Sequence, residues 1–187
     1  QMLAGAALAQ RGDTNAAIPI LERALSLFPE DGSADGPHGM LAHLYLARGE
    51  IRKAAEALTQ VVTHNESDLG ATVELARVLE LLGDKAKAAD ALDRAMYINP
   101  FDIALHQRLA DLYQALGDRA KVVRERRAVV ALGPVDKAEA QYRLALAYHE
   151  AGDDRRARTS VLRSLEEAPN FAPAQELLLT IVDGRKP

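Results

Sequence analysis

A glycine followed by an acidic residue recurs along the chain at nearly constant spacing, and this limits the fold more than any other feature. Successive glycines lie 37, 34, 34 and 35 residues apart. A glycine ends a helix at low cost because it adopts the left-handed backbone conformation, and an acidic residue after it favours the start of the next helix. Each pair therefore predicts a tight turn between two helices. The pairs are Gly12-Asp13, Gly49-Glu50, Gly83-Asp84, Gly117-Asp118 and Gly152-Asp153.

Residues at fixed distances from these glycines are also alike. Small residues recur seven positions before the glycine and five after it, where two helix backbones would touch, and larger apolar residues recur nine positions after it. Arg126 is the exception at that last position. Proline recurs seventeen positions after the glycine, where it would end the second helix. The positions nine after the glycines hold Leu21, Leu58, Leu92, Arg126 and Val161, and those seventeen after hold Pro29, Glu66, Pro100, Pro134 and Pro169.

This pattern resembles the tetratricopeptide repeat family. The resemblance covers nearly the whole chain and implies an all-α fold, a right-handed α-solenoid of tandem helix-turn-helix repeats. The 35 alanines of the chain agree with it, since alanine is the best helix former. We expect one domain over residues 1–187, with a closing helix that covers the last exposed seam. The repeats would span about 1–34, 35–68, 69–102, 103–137 and 138–171, and the closing helix about 172–183.

Composition excludes several other functions. The net charge of -4 argues against nucleic acid as the main ligand. No run of 18 apolar residues is present, so we expect no membrane insertion. The chain has no cysteine, and its five histidines lack the spacing of metal ligands, so we expect no metal, no cofactor and no catalytic site. The sequence therefore predicts binding rather than chemistry.

In the family that the chain resembles, the first helix of each repeat lines a concave groove. The resemblance thus implies a scaffold that binds a protein or peptide segment there. Its N-terminal part would be small and apolar and its C-terminal part polar, with arginine and tyrosine, which dominate binding hot spots. The paired lysine and asparagine of the branch that grips chaperone C-termini are absent, since Met2, Ala6, Met40, Gly70 and Glu74 stand there. The candidate contacts are Met40, His43, Arg77, Glu80, Gln107, Arg108, Asp111, Gln114, Tyr142, Arg143 and His149.

A basic run lies on the second helix of the fourth repeat, from Arg119 to Arg127. We interpret it as a solvated face with Glu125 and Asp118 as partners, because surface charge runs usually serve solubility. The alternative is a contact surface for an acidic partner.

Three wider hypotheses stay open at this stage. The chain begins inside an expected helix and could be the C-terminal repeat region of a larger bacterial enzyme, for instance a hydrolase. The first repeat would leave Leu3, Leu8 and Ile18 accessible, which could support self-association. Its alanine- and arginine-rich composition favours a soluble bacterial protein of the cytoplasm or periplasm.

Overall fold

The computed structural model describes residues 2–27 and 33–184, and the secondary structure in those ranges is helical throughout. This confirms an all-α fold of tandem helical repeats of the solenoid class. Eleven helices occur there: α1 (Met2–Gln10), α2 (Thr14–Leu25), α3 (Pro37–Ala47), α4 (Ile51–His64), α5 (Leu69–Leu81), α6 (Lys85–Ile98), α7 (Ile103–Ala115), α8 (Arg119–Ala131), α9 (Lys137–Glu150), α10 (Asp154–Glu167) and α11 (Ala172–Val182).

The predicted turns between paired helices are confirmed. The five turn glycines have φ between 73° and 82°, the left-handed region in which other residues are strained. The acidic residue after four of them caps the next helix by accepting a backbone N–H bond. Glu50 makes no such bond and instead pairs with Arg48 and Lys53, each at 2.7 Å. The four capping residues are Asp13, Asp84, Asp118 and Asp153.

The chain forms two compact units, Gln1–Asn99 and Pro100–Pro187. In the first unit, α1 to α6 form three hairpins around an almost wholly apolar core. The small seam residues Ala17, Ala42 and Ala54 are fully buried, as their repeat positions predict. Each leucine buried beside them contributes about 1.5–3 kcal/mol. Close helix contact therefore carries the stability of this unit.

The second unit contains the hairpins α7–α8 and α9–α10, followed by α11. Ala174 and Leu177 of α11 pack against Ala145 and Val161. This confirms the predicted closing helix. Prolines follow the ends of α6, α8 and α10 as expected, at Pro100, Pro134 and Pro169.

The first repeat differs from the sequence prediction at one residue, and part of it lies outside the described ranges. Ile18 is buried at 5% exposure in the core of the first unit, so the expectation that it is accessible was wrong, whereas Leu3 is 88% exposed. Pro29 and the segment 28–32 lie outside the described residues. Across the described ranges, no helix combines the length and apolarity that a membrane crossing requires.

Candidate functional site

The second unit has an open cleft of about 480 Å³ between α7 and α9, the first helices of its two hairpins. Side chains of α7 form one wall, α9 and the segment before it form the other, and α8 forms the floor. Three of the predicted contact residues, Gln107, Asp111 and Arg143, line it together. We call it the first-helix cleft. Its polar and charged lining is Gln107, Asp111, Arg126, Asp136, Glu139 and Arg143.

Arg126 lies in the floor of this cleft, where other repeats have leucine or valine. Its side chain is only 8% exposed and donates through Nη2 to Oδ1 of Asp111, which is 67% exposed. A buried guanidinium needs a charged partner because desolvation of an unpaired ion is costly. Arg126 therefore holds the Asp111 carboxylate on the cleft wall, where it is exposed to a ligand.

A second fixed charge lies on the opposite wall. Arg143 donates from Nε to Oε1 of Glu139 at 2.6 Å. That hydrogen bond is the main cause that raises the pKa of Arg143 above its usual value. The guanidinium thus remains a cation across the accessible pH range, half exposed to a ligand in the cleft.

The cleft also offers apolar and neutral polar contacts. Val135 is fully exposed at its rim, and the half-buried Ile103 adds apolar surface. The Gln107 amide both donates and accepts hydrogen bonds, as a peptide backbone requires. Among the described residues, no group of histidine, aspartate and glutamate side chains could hold a metal ion. The cleft thus brings charged, neutral polar and apolar groups together on one surface.

The other predicted contacts of the second unit are distributed around this cleft. Gln114 and Glu150 line a further cleft of about 430 Å³ towards the C-terminal ends of α7 and α9. Arg108 is half-buried. Tyr142 is also half-buried and packs edge-on against Phe171, with ring centroids 5.5 Å apart. The main aromatic contact of Tyr142 is therefore with Phe171, directly before α11.

The prediction for His149 requires correction. Its side chain is buried at 7% exposure, and Nδ1 lies 2.5 Å from Oδ1 of Asp154 at the start of α10. Nε2 is buried and has no partner among the described residues. The side chain points towards α10 because its hydrogen bond with Asp154 holds it there. His149 is thus not part of an exposed binding surface.

Four predicted contacts lie in the first unit. His43 and Arg77 are exposed on α3 and α5. Arg77 forms a bidentate pair with Glu74, at 3.0 Å from Nε and 2.6 Å from Nη2, and this pair raises its pKa. Met40 packs against the apolar core, and Glu80 is half-buried.

Comparison with known sequences agrees with the repeat spacing and the helix pairs. Tetratricopeptide repeat patterns match residues 8–62, 40–103 and 139–170, which together are well over half of the chain. The chain belongs to the tetratricopeptide repeat family. A search of curated proteins finds no match to the sequence.

Solved tetratricopeptide repeat structures have the same fold. MamA is 23% identical over 90% of each chain, with a TM-score of 0.62. YrrB, described as a tetratricopeptide repeat protein with an unusual peptide-binding site, is 16% identical over 92% of this chain and 87% of its own, with a TM-score of 0.64. The first such domain of Spaghetti (RPAP3), bound to the HSP90 peptide SRMEEVD, is 22% identical over 62% of this chain and 91% of its own, with a TM-score of 0.52. At these identities the likeness shows the fold alone. It does not favour the alternative of a region belonging to a larger hydrolase.

The structure also shows a buried charged cluster in the fourth tetratricopeptide repeat that sequence reasoning missed. Glu125, expected on a solvated face, is only 3% exposed and lies 2.6 Å from Nδ1 of His106 and 2.5 Å from Nε of Arg124. The other ring nitrogen of His106 lies 3.0 Å from the carbonyl oxygen of Pro100. The available signal was positional: eight residues after the other turn glycines the chain has Ile20, Ala57, Ala91 and Ser160, which are apolar or small.

Proposed function

We propose that this chain is a protein-interaction scaffold whose first-helix cleft binds an extended segment of another protein. The observation that carries the proposal is the cleft between α7 and α9, which combines two fixed ion pairs with exposed apolar side chains. Gln107, Asp111 and Arg143 are the proposed primary contacts, and Arg108 and Gln114 flank them. The fold supports this role, since YrrB and the RPAP3 domain, which share it, are both described with peptides.

The lining indicates the chemistry of the segment. Asp111 and Arg143 present opposite charges on facing walls, so a ligand needs a donor for one and an acceptor for the other. A peptide backbone supplies both along its length. Val135 and Ile103 favour an apolar side chain between the polar contacts. A polyanion such as nucleic acid would meet Asp111, Asp136 and Glu139 in the same cleft, and we propose that it is not the ligand.

The test begins with peptides selected from a random displayed library by the wild-type chain, with affinities measured by isothermal titration calorimetry. The variant Val135→Asp/Arg143→Glu changes two exposed lining residues. We expect it to raise Kd about tenfold or more, because central interface residues carry most of the binding energy. Arg158→Glu is the control, since Arg158 is exposed on α10 and does not line the cleft.

A further variant separates the cleft floor from its rim. Arg126→Leu installs the residue type that other repeats hold at this position, so we expect the melting temperature to stay close to wild type. This substitution releases the Asp111 carboxylate and should weaken the binding of the selected peptides. If the peptides bound Val135→Asp/Arg143→Glu as tightly as wild type, the proposed surface would be wrong.

A further inference from the structure

The second unit has another cleft, between its second helices α8 and α10, with α9 as its floor. We call it the second-helix cleft; its volume is about 660 Å³. Four arginines line it, two from each helix, and no acidic residue does. Its floor includes Leu144 and Tyr148. The four arginines are Arg124, Arg127, Arg156 and Arg163.

Two of these arginines already have partners within the unit. Nε of Arg124 lies 2.5 Å from Oε1 of Glu125, and Nε of Arg156 lies 2.8 Å from Oδ2 of Asp153. Arg127 and Arg163 are exposed and make no hydrogen bond or ion pair with any described residue. The cleft therefore presents at least two uncompensated guanidinium groups above an apolar floor.

At the equivalent position in the first unit, a tyrosine is paired with a carboxylate. Tyr45, four residues before a turn glycine, donates from its hydroxyl to Oε1 of Glu22 at 2.8 Å. Glu22 lies ten residues after the preceding turn glycine. In the second unit Tyr148 and Arg127 occupy these two positions, so arginine replaces the carboxylate. The Tyr148 hydroxyl has no hydrogen-bond partner in the described part of the chain.

The concentration of charge is particular to the second unit. The positions that correspond to Arg124, Arg127, Arg156 and Arg163 between α4 and α6 hold Glu56, Thr59, Lys87 and Arg94. Their net charge is +1, against +4 for the arginines. The repeat fold therefore does not require a basic cleft at this place.

We propose that the second-helix cleft binds an acidic peptide segment of a partner protein, with its carboxylates on Arg127 and Arg163. A carboxylate bound by Arg127 would also accept a hydrogen bond from the hydroxyl of Tyr148, which lines the same cleft, as Glu22 accepts one from Tyr45. Arginine suits this role because its planar fork binds carboxylates through two hydrogen bonds. This inference does not depend on the first-helix cleft.

The surroundings favour a peptide over nucleic acid. Glu166 and Glu167 lie beside Arg163 around an adjoining pocket at the end of α10, so they would repel a phosphate backbone that runs on past Arg163, whereas a short acidic peptide segment can end before them. Leu144 of the floor and Val130 of the α8 wall offer apolar contacts to an aliphatic side chain. The chain as a whole carries a net charge of -4, which opposes non-specific nucleic-acid binding.

The experiment measures the fluorescence anisotropy of a labelled hexaglutamate peptide, with hexaglutamine as the uncharged comparison. The variant Arg127→Glu/Arg163→Glu should raise Kd about tenfold or more, and added salt should weaken binding by wild type. The control Arg155→Glu/Arg158→Glu makes the same charge change on exposed positions of α10 that do not line the cleft. It should change Kd by less than about threefold. Circular dichroism confirms that each variant is folded.

Any of the following results would overturn the proposal. The first is equal loss of binding in both variants, which would indicate general electrostatic attraction. The second is equal binding of hexaglutamine, or no binding of hexaglutamate at low salt. The third is tighter binding of single-stranded DNA of matched charge, which would make the cleft a nucleic-acid surface. The fourth is a wild-type dimer in sedimentation that Arg127→Glu/Arg163→Glu dissociates, which would make the occupant a second copy of the chain.

Discussion

Nine residues after their turn glycines, the three hairpins of the first unit have Leu21, Leu58 and Leu92, whereas the second unit has Arg126 and Val161. The same contrast extends through both cores. Thr72 is the one polar or charged side chain among those described that is buried in the first unit, but Glu125, Arg126 and His149 are buried in the second. The first unit has nine basic and 14 acidic residues and the second has 14 and 13, giving net charges of -5 and +1.

This difference shows how one repeat backbone supports two kinds of surface. In the first unit, small residues bring helices together and leave the exposed charges to pair along one helix, as Arg77 does with Glu74. In the second unit, a buried charged side chain pairs with an exposed one: Arg126 with Asp111, and Glu125 with Arg124. Fixed surface charges are better suited to recognition because less side-chain entropy is lost on binding.

The largest effect that we expect tests the close packing of the first unit. A Cβ atom on Gly39 in α3 would lie 1.8 Å from the carbonyl oxygen of Ala34. Because that oxygen belongs to the backbone, Gly39→Ala must displace the chain, and we expect a loss of about 3 kcal/mol in the free energy of unfolding. Urea unfolding followed by circular dichroism measures it.

Gly70 in α5 provides the control for this substitution. A methyl group added there would lie nearest to Oδ1 of Asp68, at 3.4 Å, so the space is open. Gly70→Ala should stabilise the unit by about 0.5–1 kcal/mol because alanine favours a helix. Equal effects of the two substitutions would show that helix propensity, rather than the Ala34 contact, decides the outcome.

The next effect tests the buried charges of the second unit. Glu125→Ala removes the carboxylate that faces His106 and Arg124, and it leaves a cavity. We expect a loss of about 2 kcal/mol, less than for a wholly buried ion pair because Arg124 can turn to solvent. Thermal unfolding of the variant measures the loss.

A double substitution converts this cluster to the one in the third repeat. The residues equivalent to His106 and Glu125 there are Thr72 and Ala91, both buried without a charge. His106→Thr/Glu125→Ala should therefore recover more than half of the stability that Glu125→Ala loses. If the double variant lost the sum of the separate losses of Glu125→Ala and His106→Thr, the two side chains would not be coupled and the comparison between the units would fail.

Repeat spacing predicted the helices, the turns and the closing helix because these depend on local backbone rules. A left-handed glycine and a capping aspartate can be recognised from residue type and spacing alone, and Gly117-Asp118 is such a pair. The burial of Glu125 was not predicted, because a charged residue inside a basic run is typical of a solvated face. Its burial depends on Arg124 next to it and on His106, nineteen residues earlier in the sequence, and the contact with His106 has no local mark.

The candidate site could be predicted only in part for the same reason. Gln107, Asp111 and Arg143 were expected because the resemblance to tetratricopeptide repeats implies that first helices line a groove, and the structure brings the three to one cleft. His149 was expected on the same basis but turns towards Asp154, a contact between successive helices that the spacing alone does not contain. The second-helix cleft depends on α8 and α10 flanking α9, and the arginines of α10 gave no separate signal in the sequence.

The smallest effect compares the two tyrosines that lie four residues before their turn glycines. Burial and the hydrogen bond to Glu22 raise the pKa of Tyr45 to about 12 from its usual value near 10. A raised pKa means that the folded state favours the neutral phenol, so its stabilisation is complete below about pH 10 and is lost as pH rises through about 12. Tyr45→Phe should cost about 1 kcal/mol at neutral pH and remove that alkaline dependence.

Tyr148→Phe is the matched control, because the hydroxyl of Tyr148 has no partner among the described residues. A larger loss for Tyr148→Phe than for Tyr45→Phe would mean that Tyr148 is engaged within the unit, and the second-helix cleft would lose the open hydroxyl on which part of its proposed chemistry rests.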